Sequence, residues 1–259
     1  MKDLKAPADS GNPFLDFFQY PVYLEFKSHL YNYRLRRKKV QKILKRVNPS
    51  GLVLEIGSGV STLTDRPRNT VFSDISLHAM KYLREKKNAP YAAVMDITSI
   101  ALKNACVETV ICSEVLEHIK NDNAAMSEIL RVLKPGGSFI MTVPTHPKYY
   151  AFDDQYVGHE RRYAIWPLIR KLKKIGFDGV EMFKITGFLD KITMVFLAHA
   201  YAAFFKKPKK APQDSPLLKI LLPVYKALNK IYSRLIGWEA QALPLSTAAV
   251  VMIYCRKGK

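Results

Sequence analysis

Cysteine, acidic side chains and long apolar runs are all scarce in this chain, and each scarcity removes a class of protein. The three cysteines, Cys106, Cys112 and Cys255, have no paired spacing and sit in apolar runs, which excludes a disulfide framework and a zinc knuckle. The opening residues, MKDLKAPADSGNP, lack the apolar stretch of a secretory leader, so a reducing, cytoplasmic setting is expected. Against 41 Lys and Arg stand 22 Asp and Glu, a formal net charge of +19. That excess asks for a polyanionic neighbour, either nucleic acid or an anionic membrane surface. What is plentiful is apolar: 48% of the 259 residues are hydrophobic, enough for one α/β domain with an elaboration.

From residue 52 to about 144 short β-branched runs alternate with helical patterns. LVLEIG, TVFSDI, AAVMDI, VETVICSE and SFIMTVP read as buried strands, and SLHAMKYLREKK and DNAAMSEILRVLK have helical spacing. This is the pattern of βαβ units and a parallel sheet. Lys134, Pro135, Gly136 and Gly137 are expected to end the second helix, AIWPLIRKLKKIGF makes another helix ending at Gly176, and strands follow near 179–185 and 247–256. Upstream, LEFKSHLYNYRLRRKKVQKILKRV is a basic helical pattern with Val40, Ile43, Leu44 and Val47 as its apolar seam, read as a cap on the sheet edge. No repeat of fixed period is present.

The turn VLEIGSGVS carries the first chemical signal. Dinucleotide folds place G-x-G-x-x-G here, with the pyrophosphate on the following helix N-terminus. This chain has Gly57 and Gly59 but Thr62 at the third position, and Glu55 stands two residues before the first glycine. A carboxylate there repels a pyrophosphate and favours a cationic ligand without phosphates. The set Glu55-x-Gly57-x-Gly59, with Asp74 ending the second strand, Asp96 ending the third, and EVLEHI followed by ILRVLKPGG, resembles the class I S-adenosylmethionine-dependent methyltransferases, within the ubiquinone/menaquinone-pathway-like superfamily. The resemblance covers residues 50–186 and the final strand.

The resemblance implies a Rossmann-like, seven-stranded, mostly parallel sheet with helices on both faces, and S-adenosylmethionine as cofactor. It also implies residue roles. Asp74 accepts from the ribose hydroxyls, Asp96 accepts from the adenine amino group, and Ile75 and Ile97 flank the ring. Gly57 and Gly59 let the backbone approach, Glu55 favours the ammonium end, and Ser113 lines the cofactor site. The segment between Gly59 and Asp74 is short and holds Pro67, so the helix that normally follows the first strand is expected to be stunted.

Two stretches compete for the chemistry. Glu114, Glu117 and His118, spaced i, i+3, i+4, resemble the E-x-x-E-H metal set of some O-methyltransferases, including ubiquinone-pathway and small-RNA 2′-O-methylating enzymes; many metal-free relatives share the same letters. The second, YYAFDDQYVGHERRYAIWPL, resembles a G-H-x-R-R-Y element. There His159 is the candidate base beside Glu114 and His118, and Arg161, Arg162, Tyr149, Tyr150 and Tyr163 are candidate acceptor contacts. The alternative is that Arg162 pairs with Asp153 or Asp154 to pin the loop.

The domain reading is a basic segment over 1–50, the methyltransferase domain over 51–186 and 245–259, and an amphipathic helical insertion over 187–244. KKPKKAP supplies Lys206, Lys207, Lys209 and Lys210, and PLLKILLPVYKALNKIYSRLIGW sets Lys219, Lys226, Lys230 and Arg234 against Leu, Ile and Tyr. An interfacial helix has this form, as does a helix packed on the sheet or at a dimer interface. The combined expectation is a peripherally membrane-associated methyltransferase acting on an oxygen of a hydrophobic small molecule or lipid-linked acceptor. The rivals are an RNA 2′-O-methyltransferase and a binding protein without turnover.

Overall fold

The computed structural model describes residues 28–204 and 216–258. Residues 1–27 and the cluster Lys206, Lys207, Lys209 and Lys210 lie outside the described residues, as do the side chains of Lys219 and Leu221. Seven strands form one sheet: β1 Val53–Ile56, β2 Thr70–Asp74, β3 Ala92–Val94, β4 Val107–Ser113, β5 Leu133–Pro144, β6 Phe177–Thr186 and β7 Val250–Lys257. Their order is β3-β2-β1-β4-β5-β7-β6. β1 to β5 run parallel, and β7 is antiparallel to both β5 and β6.

Strand alternation divides the core. Leu54 and Ile56 of β1, Val110 and Cys112 of β4, and Phe139, Met141 and Val143 of β5 face one apolar layer, while Val53, Ile111, Ile140, Met252 and Tyr254 face the other. Helices α3 (Asp122–Val132) and α5 (Ile165–Ile175) cover the first layer through Ala125, Met126, Ile129, Leu168 and Leu172. Helix α1 (Tyr31–Val47) covers the second through Tyr33, Val40, Ile43 and Leu44, with Val47 half-buried against it. The basic helix therefore lies on the sheet face over β5, β6 and β7, not on the edge, because its apolar seam is wide enough to meet several strands.

Local chemistry sets the other ends. Helix α2 (Leu77–Lys86) is capped by Ser76, whose Oγ accepts from the Ala79 N–H at 3.2 Å. Asn121 caps α3 in the same way through Ala124, at 3.1 Å. α3 stops at Val132, before the Lys-Pro-Gly-Gly run, which enters β5 with Gly136 at φ 72°. α5 ends on Gly176 at φ 119°, where a side chain would be strained.

Between β1 and β2 the described chain forms only a 3₁₀ turn, Pro67–Asn69, so the expected stunting is complete. α1 takes over the missing helix's work. Tyr33 Oη donates to the Thr62 carbonyl at 2.7 Å, Gln41 reaches Asp65 at 2.7 Å, and Arg37 pairs with Asp65. After β5 come a short helix α4 (Phe152–Tyr156) and, between β6 and β7, α6 (Phe188–Phe204) and α7 (Pro216–Ala242). The α7 carboxylate of Glu239 accepts from the Phe188 N–H at 2.9 Å and so caps α6. Tyr31 ties α1 to both helices, donating from Oη to Asp190 at 2.5 Å and from N–H to Asn229 at 2.9 Å.

Candidate active site

The C-terminal ends of β1, β2 and β4 converge on a cavity of about 650 Å³, the size and position of a ligand crevice in open α/β sheets. Glu55, Gly57, Asp74, Ile75, Asp96, Ile97 and Ser113, all expected at a cofactor, line it. Gly57 is required sterically: it sits at φ 67°, and a Cβ would meet Val115 Cγ2 at 2.2 Å. Gly59 is not among the lining residues; its N–H donates to Asp74 Oδ2 at 2.9 Å, while Asp74 Oδ1 accepts from Ser76 N–H at 2.9 Å. Asp74 thus braces the glycine turn while lining the cavity.

Glu55 is fully buried, and its two oxygens accept from the Leu63 and Thr64 N–H groups at 2.8 and 3.1 Å. Its carboxylate therefore holds the loop that replaces the missing helix as well as lining the cavity. Burial pushes its pKa up to about 7, against the two backbone donors. A carboxyl raised in the folded state contributes stability that is full below its ordinary value of 4.5 and is lost as pH rises through about 7. In the cofactor-free protein, Glu55→Gln is therefore expected to flatten the fall in Tm across that window. An identical pH slope in the two forms, read by calorimetry, would contradict the assignment.

α1 contributes Tyr33 and Arg36 to the same cavity. Reading the strand-associated motifs missed both, because their partners are distant in sequence; the aromatic-basic run YNYRLRR was the available signal. Arg36 Nη1 lies 3.2 Å from Glu114 Oε2, and Glu114 Oε1 accepts from Thr142 Oγ1 at 2.9 Å. Glu114 has φ 54°, a left-handed conformation that is strained for a non-glycine residue and frequent at functional sites.

Glu114, Glu117 and His118 do not share one α-helical face. The chain turns through Leu116–His118 as a 3₁₀ helix, and the grouping that forms is Glu117, His118 and His159, with one ligand atom from each within 4.8 Å of the others. Glu117 is fully buried, and neither of its oxygens has a hydrogen-bond partner among the described residues. Burial, then the nearby Glu114 carboxylate, raises the Glu117 pKa well above the usual range. Burial, then His159, lowers His118 to about 4, keeping its imidazole neutral.

The G-H-x-R-R-Y element divides into two groups. Arg162 is buried on Asp154 at 2.8 Å and Asp153 at 3.6 Å, joined there by Lys191 of α6. Tyr163 is buried, donating to Asp122 at 2.9 Å, and Arg161 pairs with the same carboxylate at 3.3 Å. These contacts pin the loop. His159 Nδ1 lies 2.7 Å from Asp154 Oδ1; burial opposes the charge of Asp154, yet His159, Arg162 and Lys191 hold its pKa well below the usual range. Tyr150 Oη donates to the His159 carbonyl at 2.7 Å, and the Tyr149 ring lies against His146 and Phe188. None of Tyr149, Tyr150, Arg161, Arg162 and Tyr163 lines the large cavity. His159 and Arg162 instead line a smaller one of about 70 Å³, which shares Arg36 and Glu114 with the first.

A parallel sheet of this order, closed by an antiparallel β7 and with carboxylates at the end of β2 and two residues past β3, defines a Rossmann-like methyltransferase fold. Comparison agrees. Residues 54–141 match the family described as a methyltransferase domain. Demethylmenaquinone methyltransferase of Streptomyces avermitilis is 25% identical over 186 residues, covering 60% of this chain and 79% of the relative. Ubiquinone biosynthesis O-methyltransferase of Pseudomonas fluorescens is 30% identical over 125 residues, 44% of this chain and 54% of that protein. Phosphoethanolamine N-methyltransferase 2 of Haemonchus contortus shares the fold at a TM-score of 0.59 and 18% identity, over 98% of this chain and 62% of the other. Residues 54–141 thus carry a methyltransferase domain, and the chain is similar to S-adenosylmethionine-dependent methyltransferases.

The cavity fits that cofactor. A backbone cradle that only glycine permits at position 57 adjoins Asp74 and Asp96 for hydroxyl and amino groups, and apolar Ile75, Met95 and Ile97 for a ring.

Proposed function

We propose that the protein methylates an oxygen of a hydrophobic or lipid-linked acceptor at an anionic membrane surface. The observation that carries this reading is the division of α7 into three faces. Asn229, Ile236 and Glu239 are buried against the domain. Val224, Leu228, Ile231, Leu235 and Trp238 recur at spacings of three and four and are exposed, Trp238 at 65%. Lys226, Lys230 and Arg234 form the remaining stripe. α6 adds exposed Ile192 and Phe196, the latter at 71%. An exposed apolar stripe flanked by cations suits acyl chains and lipid phosphates. No helix among the described residues is long and apolar enough to cross a membrane, so the proposed contact is one that lies on the bilayer. The quinone-pathway names of two relatives favour an acceptor of this type, and the 187–244 segment is on this reading the element that presents it.

The cofactor supplies a methyl group activated on a sulfonium. The chain aligns and deprotonates: alignment at near-attack distance supplies most of the acceleration. Glu114, the acid that borders both cavities, would take the proton of the acceptor hydroxyl. A divalent ion also fits, held by Glu117, His118 and His159; the two Glu117 oxygens, neither of them in a hydrogen bond and Oε1 3.9 Å from His159 Nε2, favour it. Such an ion would lower the acceptor hydroxyl's pKa. Transfer of labelled methyl groups into solvent-extractable product tests the function.

A further inference from the structure

We infer that the outward face of α1, continued by the cationic stripe of α7, is a docking surface for lipid phosphates, so that a helix of the methyltransferase domain itself rests on the bilayer. The inference rests on the membrane reading above and extends the contact beyond the 187–244 segment. α1 holds eight Lys and Arg and no Asp or Glu in its 17 residues. Three of the eight meet acids from other elements: Arg36 with Glu114, Arg37 with Asp65 and Arg46 with Glu181. Arg34, Lys38, Lys39, Lys42 and Lys45 have no ion pair among the described residues, and all but the half-buried Lys39 are exposed. Arg34 and Lys38, like Lys38 and Lys42, stand four residues apart, a spacing at which like charges destabilise a helix. Lys39 registers the crowding: burial, then Lys42 and Lys38, lowers its pKa. The fold draws no stability from these charges, and the counter-charge they fit comes from outside the chain.

The face does not end with α1. Tyr31, Leu35, Lys38 and Lys42 recur at spacings of four and three and form one row along the helix. That row begins against α7, with Tyr31 on Asn229 and Tyr232 and with Leu35 beside Gly237, where a Cβ would lie 3.4 Å from Leu35 Cδ2. It emerges as the exposed Lys38 and Lys42. On α7, Lys230, Arg234 and Gly237 share a side by the same spacing, and both cations are exposed. The cationic rows of the two helices therefore meet at the Leu35–Gly237 contact. The exposed Leu228, Ile231 and Leu235 occupy the other flank of α7, and the acid of that helix, Glu239, is buried. A bilayer offers phosphates beside acyl chains and suits both halves of such a surface. RNA would meet the cations and leave the apolar flank in water. On the inner side of α1, Tyr33 and Arg36 line the cofactor cavity, one helix diameter of roughly 10 Å behind the docking face.

Footprinting and binding test it together. Lysines of the unaltered protein are acetylated in the presence of vesicles of phosphatidylcholine alone or mixed with phosphatidylglycerol, and the sites are read by mass spectrometry. The mixed vesicles are expected to protect Lys38, Lys42 and Lys45. Lys81 and Lys86 of α2, exposed at the β3 edge of the sheet, should react at an unchanged rate. Changing Arg34, Lys38, Lys42 and Lys45 together to Gln is expected to weaken binding to the mixed vesicles by ~100-fold or more at low salt. The same variant should keep its affinity for S-adenosylhomocysteine and lose no Tm. Changing Lys81, Lys86 and Lys87 to Gln should leave vesicle binding within ~3-fold. Equal losses in the two neutralised variants would reduce the effect to net charge and overturn the inference, as would full reactivity of Lys38, Lys42 and Lys45 in the vesicle-bound protein. If binding depends on Leu228, Ile231 and Leu235 but not on the α1 cations, this inference alone falls. If the unaltered protein binds neither vesicle, the membrane reading falls with it. An RNA gel shift lost in the α1 variant while vesicle binding persists would assign the face to nucleic acid instead.

Discussion

Asp74→Ala is expected to reduce affinity for S-adenosylhomocysteine by roughly 1.5–3 kcal/mol, the range for hydrogen bonds to a charged group. The loss has two sources. The carboxylate lines the cavity at the end of β2, where an acid in related sheets takes ribose hydroxyls. It also accepts from the N–H groups of Gly59 and Ser76, each at 2.9 Å, so its removal loosens the glycine turn that the cofactor must cross. Asp74→Asn keeps the shape and one oxygen acceptor, and is expected to lose less. Calorimetry giving unchanged affinity for the alanine form would remove Asp74 from the site. Lowered affinity equal in both variants would assign the whole effect to charge.

Changing Leu228, Ile231 and Leu235 together to Ser is expected to abolish flotation with vesicles containing anionic lipid. A buried aliphatic side chain contributes roughly 1.5–3 kcal/mol, so losing three removes most or all of the free energy of a reversible surface association. All three are exposed, at 60%, 64% and 46%, so the fold has little to lose, and an unchanged Tm should accompany the loss. Rising salt should also release the unaltered protein, but phosphate contacts to RNA respond in the same way. The apolar substitutions separate the two cases, because an RNA contact made by lysines should survive them in a gel shift. Flotation by the triple variant, or none by the unaltered protein, would remove the membrane reading and leave RNA as the polyanion for the excess charge.

The centre of the sheet was legible because β1, β2 and β4 are buried on both faces and so appear as largely apolar runs. TVFSDI and VETVICSE became β2 and β4 almost residue for residue. Asp74, the last residue of β2, was legible for the related reason that a strand's end fixes where its next side chain points; Asp96, expected to end β3, lies two residues past it. What the sequence hid lies in contacts between segments distant along the chain. The α1 pattern showed an apolar seam but not which surface it meets, so an edge cap was expected where a face cover formed. Glu114, Glu117 and His118 have α-helical spacing, yet the positive φ at Glu114 and the 3₁₀ turn after it exchange Glu114 for His159 in the cluster. For Arg162 the alternative reading, a pair with Asp153 or Asp154 that pins the loop, is the one that formed; Tyr163 looked like an acceptor contact because aromatic loop residues often are, and its buried partner Asp122 lies 41 positions away.

The central claim, methyl transfer to a hydrophobic acceptor, is tested most directly with S-adenosylmethionine carrying a deuterated methyl group. The purified protein would be incubated with anionic vesicles made from a total membrane extract, and the organic and aqueous phases analysed by mass spectrometry. Deuterated methyl is expected in an organic-phase species, strongly reduced with Asp74→Ala at limiting cofactor and reduced in the α7 triple variant. Label confined to added RNA, or S-adenosylmethionine bound but unconsumed across both phases, would contradict the account.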